Sequence, residues 1–430
     1  MGTLLKMTSL PILQTLILFA SVVSADDTKT LDRDLTNDQT ALVHILREYQ
    51  SEAREIATFN VVLDLQKLND PEWLENAKES SRTKICKEVN KLQCEKLVDS
   101  TYDEILAEIG QLKTFSRYES PGLFLILLKA FGSLQKFVPE HERPSILFGT
   151  LPSACFNARQ DFAPDNIPRT TRLLVFDQGL SYLVQNIAAL TAAMFDTYGD
   201  LKDVHDPVGL VRIKSAEELG NDGDFISQMR ALAALYIYPN FYKTMPSLQL
   251  NAKQSAISGE VMKGIFDFIV AHEYSHVLLR HPSSEREIID ILRKTADFST
   301  FSKTLEVAAD ANAAELLATM YGGRISGNDE RLFGIAAYFS FLDMLDRAKG
   351  TVGDLTVLKY KDHPKPLDRL KLVLERLKKS PSDERLSNPS FGSPMTSTVQ
   401  VTVELIWRQI RTQIGQNKEL QQLVKAKGCY

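Results

Sequence analysis

The sequence predicts a mainly α protein of the α+β kind, a helical body that carries one small β-sheet edge. Two patterns predict it. Apolar residues recur in steps of three and four through much of the 430 residues, which is the period of one helix face. Around 144–176 the texture changes to short, partly alternating segments set apart by Pro152, Pro164 and Pro168, as short strands require. A composition of 44% hydrophobic and 24% charged residues is that of a globular protein and excludes collagen, coiled-coil rods and wholesale disorder. The length suits two domains or one elaborated one. Fifty basic against 55 acidic residues leave a net charge of −5, so there is no basic field and no nucleic-acid partner is expected.

Taken in order, 1–25 has the layout of a cleavable secretory signal. Lys6 precedes an apolar run over 10–23, and Val23-Ser24-Ala25 offers small residues before Asp26. The cut is expected after Ala25, giving a secreted or periplasmic chain. Residues 122–134 and 173–195 are apolar but too short or too polar to span a bilayer, so no transmembrane span is expected in the mature chain. Export would permit disulfides, and Cys86, Cys94, Cys155 and Cys429 allow three pairings. Ile85, Val89, Leu92 and Leu97 place the first two cysteines on a helix. Eight helical residues rise about 12 Å, so a Cys86–Cys94 bond would need a break there.

Residues 26–143 read as a helical N-terminal region, a surface for membrane-envelope clients. Ile45, Leu46, Tyr49, Ala53, Ile56, Phe59 and Leu63 share one face, and Asn69-Asp70-Pro71 ends that helix. Further helices are expected at 72–97, 101–114 and 121–137. Segments 146–151, 154–158 and 172–176 are expected to form the small sheet. The Gly- and Asp-rich stretch 199–224 reads as a loop or lid. A Pro/Ser-rich linker, 380–396, precedes a C-terminal helix, 397–430, marked by Val403, Ile406, Ile410 and Ile414.

The chemistry-bearing segment is His272-Glu273-Tyr274-Ser275-His276. Ile257, Val261, Ile265 and Phe268 step by three and four into His272 and His276, so one helix face begins as core and ends as two imidazoles. Residues four apart lie about one turn apart on that face, within reach of a single metal ion. Glu273, turned about 100° from His272, can sit beside a water without ligating the metal. This is the HExxH arrangement of zinc peptidases. Ile269, Val270, Ala271, Val277, Leu278 and Leu279 flank it, which predicts a buried helix, and burying two histidines and a glutamate without a partner would be costly. His281 is off the register of a third ligand and reads as a cation near the helix C-terminus.

A catalytic zinc takes three protein ligands and one open position. Glu306 and Asp310 stand four apart on a helix whose alanines, 308, 309, 311, 313 and 314, let it approach another helix closely. Glu306 is the expected third ligand, and Asp310 would accept a hydrogen bond from a ligand histidine. Glu315 is a weaker competitor. Farther on, His363 in a Pro-fixed turn could donate to an oxyanion, and Arg369 could do the same or brace Asp310.

HExxH, then Glu306-x-x-x-Asp310, then His363-Pro364 with Arg369 six residues later, resembles the gluzincin metallopeptidases of the CAAX-prenyl-protease and heat-shock-membrane-protease type, which has soluble exported members. Ala154-Cys155-Phe156-Asn157-Ala158 and 172–180 look like that family's edge strand and strand-to-helix passage. The resemblance covers about 150–372. It implies a zincin-like domain over 144–379, one Zn2+ per chain on His272, His276 and Glu306, Glu273 as base, and a strand at Asn157-Ala158 that aligns a protein or peptide substrate. Residues 190–250 depart from the family as an insertion. The expected activity is exported zinc endopeptidase. Glu273 would take a proton from a water acidified toward ~7 by zinc, with His363 or Arg369 at the oxyanion. The alternative is a latent chaperone or assembly factor of the cell envelope that keeps the metallopeptidase fold.

Overall fold

The computed structural model describes residues 36–56, scattered positions from 75 to 103, and 121–153, 155–161, 171–197, 211–238, 248–282, 285–294, 298–321, 328–353, 364–378 and 393–423. In chain order these residues form helices α1 (Asn37–Ile56) and α2 (Pro121–Gln135), strands β1 (Ser145–Leu151), β2 (Ala158–Asp161) and β3 (Thr171–Asp177), helix α3 (Gln178–Ala193), and strands β4 (Phe195–Thr197) and β5 (Val211–Ile213). Helices then follow as α4 (Ala216–Asn221), α5 (Gly223–Ile237), α6 (Ala252–Leu278), α7 (Glu285–Lys294), α8 (Phe298–Tyr321), α9 (Asn328–Thr351), α10 (Pro366–Lys378), α11 (Ser393–Gly415) and α12 (Lys418–Leu423). The molecule is mainly α with a small sheet, as the periodicity predicts. Among the described residues no helix is long and apolar enough to cross a membrane.

The three-stranded sheet has the order β1-β3-β2, with β1 parallel and β2 antiparallel to β3. All seven β3 residues are buried because both faces are covered. Leu174 and Phe176 face the main core, while Leu173 and Val175 join Leu147 and Leu151 against Leu42 and Leu46 of α1. A strand buried on both sides needs a continuous apolar run in place of alternation. Helix α1 also closes the β1 edge, where the Gln50 amide donates to the Thr150 carbonyl at 2.9 Å. Among the described residues the opposite edge, β2, pairs with β3 alone.

Several boundaries differ from the sequence reading, each for a local reason. The edge strand is 158–161 and not 154–158, with 155–157 irregular ahead of it. Of the stretch read as a loop, 211–213 is a strand, and 216 onward is helical. The Gly and Asp residues there punctuate helices: Ser215 and Glu218 form a capping box on α4, and the Asp222 carboxylate accepts from Asp224 and Phe225 at the start of α5. Phe225, Met229 and Leu232 of α5 lie fully buried in the main core, so this part of 190–250 is body and not appendage. The C-terminal helix begins at Ser393, inside the expected linker, with Pro394 in the first turn where a missing N–H costs nothing. The helix expected at 121–137 is α2. Those at 72–97 and 101–114, like Cys86, Cys94 and Cys429, lie wholly or largely outside the described residues.

Helix α6 is the axis of the body. At 27 residues it runs about 40 Å, started by a capping box between Asn251 and Gln254. The Gln254 amide also donates to the Phe195 carbonyl of β4 at 3.0 Å. Helix α9 crosses α6 backbone to backbone. A Cβ on Gly264 would collide with the Arg331 backbone, and one on Gly334 would collide with that of Val261.

Candidate metal centre

The last turns of α6 carry His272, Glu273 and His276, and α8 lies alongside with Glu306 and Asp310. The small alanines of α8 permit that approach: Ala309, Ala313 and Ala314 are fully buried. A hydrogen-bonded clip holds the helices level, with the Asn312 amide donating to Ser275 Oγ (3.0 Å) and that hydroxyl donating to the Ala271 carbonyl (2.7 Å).

Three side chains converge. His272 Nε2 and His276 Nε2 are 3.2 Å apart, His272 Nε2 lies 3.4 Å from Glu306 Oε2, and His276 Nε2 lies 3.5 Å from Glu306 Oε1. Bonds of about 2.0–2.1 Å at tetrahedral angles would put ligand atoms about 3.3 Å apart. The three residues present therefore fit one zinc ion, and among the described residues they are the only group of this kind. Glu315, the competitor, pairs instead with Arg376 at 3.4 Å on the exposed side of α8.

Behind the cage, His272 Nδ1 is 2.9 Å from Asp310 Oδ1. Asp310 is wholly buried and takes two hydrogen bonds from Arg369 of α10, Nε to Oδ2 at 2.7 Å and Nη2 to Oδ1 at 2.8 Å. The guanidinium also lies over the Phe339 ring, 5.3 Å from its centroid. Burial alone would push the Asp310 carboxyl up, but Arg369 and the His272 hydrogen bond hold it down at about 2. Burial likewise opposes charge on His272, yet Asp310 and Glu306 raise it to about 10, whereas burial and the neighbouring His272 lower His276 to about 3.

Of the other sequence-predicted residues, Glu273 is 8% exposed on the same turn as His272. Arg369 braces Asp310. His363 lies outside the described residues. Just ahead of β2 the Asp177 N–H donates to the Asn157 carbonyl at 2.8 Å, so with Ala158 opposite Phe176 the antiparallel alternation turns the backbone polar groups of Ala158 and Gln160 toward the edge away from β3. Asn157 spends its carbonyl within the sheet. Phe156, just ahead, stacks on Tyr236 of α5 at 5.8 Å, and Tyr236 donates to Asp346 of α9 at 2.9 Å. Cys155, one residue earlier, is disulfide-bonded.

Residues 222–388 match the family described as Peptidase U49. The matched span contains α5 to α10, hence every candidate ligand, Glu273, Asp310 and Arg369, and it marks this part of the chain as peptidase-like. It supports a peptidase in general and does not single out the CAAX-prenyl-protease type. No curated protein and no solved structure matches the chain.

Sequence reasoning missed two residues around this centre. Tyr338 of α9 belongs to no motif. Burial, opposed by Arg369 and reinforced by the charges of Glu273 and Asp310, pushes its phenol up to about 12. The sequence reads His281 as a cation near the helix C-terminus. The structure buries it, burial lowers its pKa, and its Nδ1 lies 2.7 Å from His276 Nδ1.

Proposed function

We propose that the protein is an exported zinc-dependent endopeptidase. The observation that carries this reading is the convergence of His272, His276 and Glu306 at tetrahedral spacing beside a buried glutamate. When bound, zinc supplies a Lewis acid that polarises the substrate carbonyl and acidifies water. Glu273 accepts the proton of the attacking water and returns it to the leaving amine. With both guanidinium donors toward Asp310 in use, Arg369 holds the His272–Asp310 pair in place, and the oxyanion donor is His363 or Tyr338. A substrate strand adds to the free edge of β2, against the outward N–H and C=O groups of Ala158 and Gln160. Export is supported by the signal-like first 25 residues and by the disulfide at Cys155. The latent-chaperone alternative drew on an insertion covering the site, and α5, which sits in the core, gives it no support.

The deciding experiment compares zinc content and casein cleavage in the wild type and in Glu273→Gln. The variant should hold about one zinc per chain and lose about 10²–10⁴-fold in rate, the usual contribution of a general base. Wild-type cleavage by the zinc-replete variant would sink the assignment.

A further inference from the structure

The metal centre treats its two histidines unequally. The Nδ1 of His272 faces a carboxylate, and the Nδ1 of His276 faces another imidazole. That second contact depends on an unusual piece of backbone. After α6 the Arg280 N–H donates to the Val277 carbonyl at 3.0 Å and the His281 N–H to the His276 carbonyl at 2.9 Å, the paired bonds of a Schellman C-cap. The left-handed residue such a cap needs is normally glycine, but here it is Arg280 at φ 55°, the only non-glycine residue with positive φ among those described. The reversal folds His281 back under the helix end, where it is 8% exposed and its ring meets that of His276 edge to face, 4.7 Å between centroids.

We propose that His281 is a positioning residue for the metal centre, acting as the hydrogen-bond acceptor that fixes the tautomer and aim of His276. The inference rests on the reading of His272, His276 and Glu306 as a zinc cage. A neutral imidazole that ligates through Nε2 carries its hydrogen on Nδ1. His276 Nδ1 therefore donates, and the atom 2.7 Å away, His281 Nδ1, must present a lone pair, with the His281 hydrogen on Nε2. Histidine ligands generally donate their second N–H to such a partner, and here the partner is neutral. The backbone bond from His281 to His276 and the ring contact join the same two residues, so the cap and the ligand orientation form a single unit. His281 itself stands outside the convergent ligand group.

The test separates acceptor from bulk. His281→Phe keeps a ring in the pocket and removes the lone pair, while His281→Asn places a carbonyl oxygen near the position of Nδ1. Zinc affinity is read by competition with a chromophoric chelator, and ligand-field absorption is read after cobalt substitution. His281→Phe should weaken zinc about 10–100-fold and shift the cobalt bands, and His281→Asn should stay within about threefold of wild type. Undiminished affinity in His281→Phe, or equal losses in both variants, would overturn the proposal. A wild-type protein that takes up no zinc would overturn the cage itself and this inference with it, whereas a tight-binding wild type beside an unaffected His281→Phe overturns this inference alone.

Discussion

Helix α6 is held in two different ways along its length. Before Phe268 it is gripped by contact: Gly264 and Gly334 bring the α6 and α9 backbones together, Arg331 pairs with Glu260 at 2.8 Å, and the Asp267 carboxylate, wholly buried, accepts from Tyr321 at 2.8 Å and Lys263 at 2.9 Å. After Phe268 it is gripped by direction: His272 by Asp310, His276 by His281 and Ser275 by Asn312. The first half sets how far apart the helices lie, and the second sets where each ring points. Damage to the first half should cost stability and leave zinc affinity nearly intact. Damage to the second should reach the metal directly.

Asp310→Ala is the largest expected break, because this one residue of the second grip carries both a buried ion pair and the aim of His272. It strands the Arg369 guanidinium without its buried partner, a loss of about 3–5 kcal/mol, and frees His272, a loss of about 10–100-fold in zinc affinity. Urea melts and chelator competition measure the two, and an unchanged affinity would show that aim does not depend on this carboxylate. Gly264→Val should cost about 3 kcal/mol by forcing its side chain into the α9 backbone. The protein that remains folded should bind one zinc per chain with near wild-type affinity, and a parallel fall in affinity would erase the distinction between the two halves. Tyr321→Phe removes one hydrogen bond to a buried charge and should cost about 1.5 kcal/mol in the same melts, again with zinc unaffected. Arg280→Gly relaxes the left-handed residue and should gain about 0.5 kcal/mol, the relief being partly offset by the greater freedom of glycine when unfolded. Zinc affinity should hold, because the cap that delivers His281 is kept.

The same division explains what could be read before the structure. His272, His276, Glu306 and Asp310 were legible because a four-residue step on a helix places side chains on one face whatever surrounds them. The β1 and β3 runs were legible because strands covered on both faces must be apolar throughout. The sequence leaves Arg369 between two roles, since only the packing of α10 against α8 reveals that Asp310 takes the Nε–Nη2 edge of its guanidinium. His281 was misread because the signal for a Schellman turn is glycine, and Arg280 adopts the left-handed conformation without it. Helices α4 and α5 were hidden behind their own caps, as Ser215 and Asp222 are turn formers in sequence and helix starts in space. Tyr338 carried no signal, because its nearness to Glu273 comes from the crossing of α6 and α9.

All three candidate ligands come from α6 and α8, near neighbours in the chain, whereas β2 and Arg369 arrive from well before and well after them. A zinc ion held there would stabilise every folded state that retains the cage, so stripping the metal would be felt as a loss of stability in the body of the protein and not only as a loss of activity.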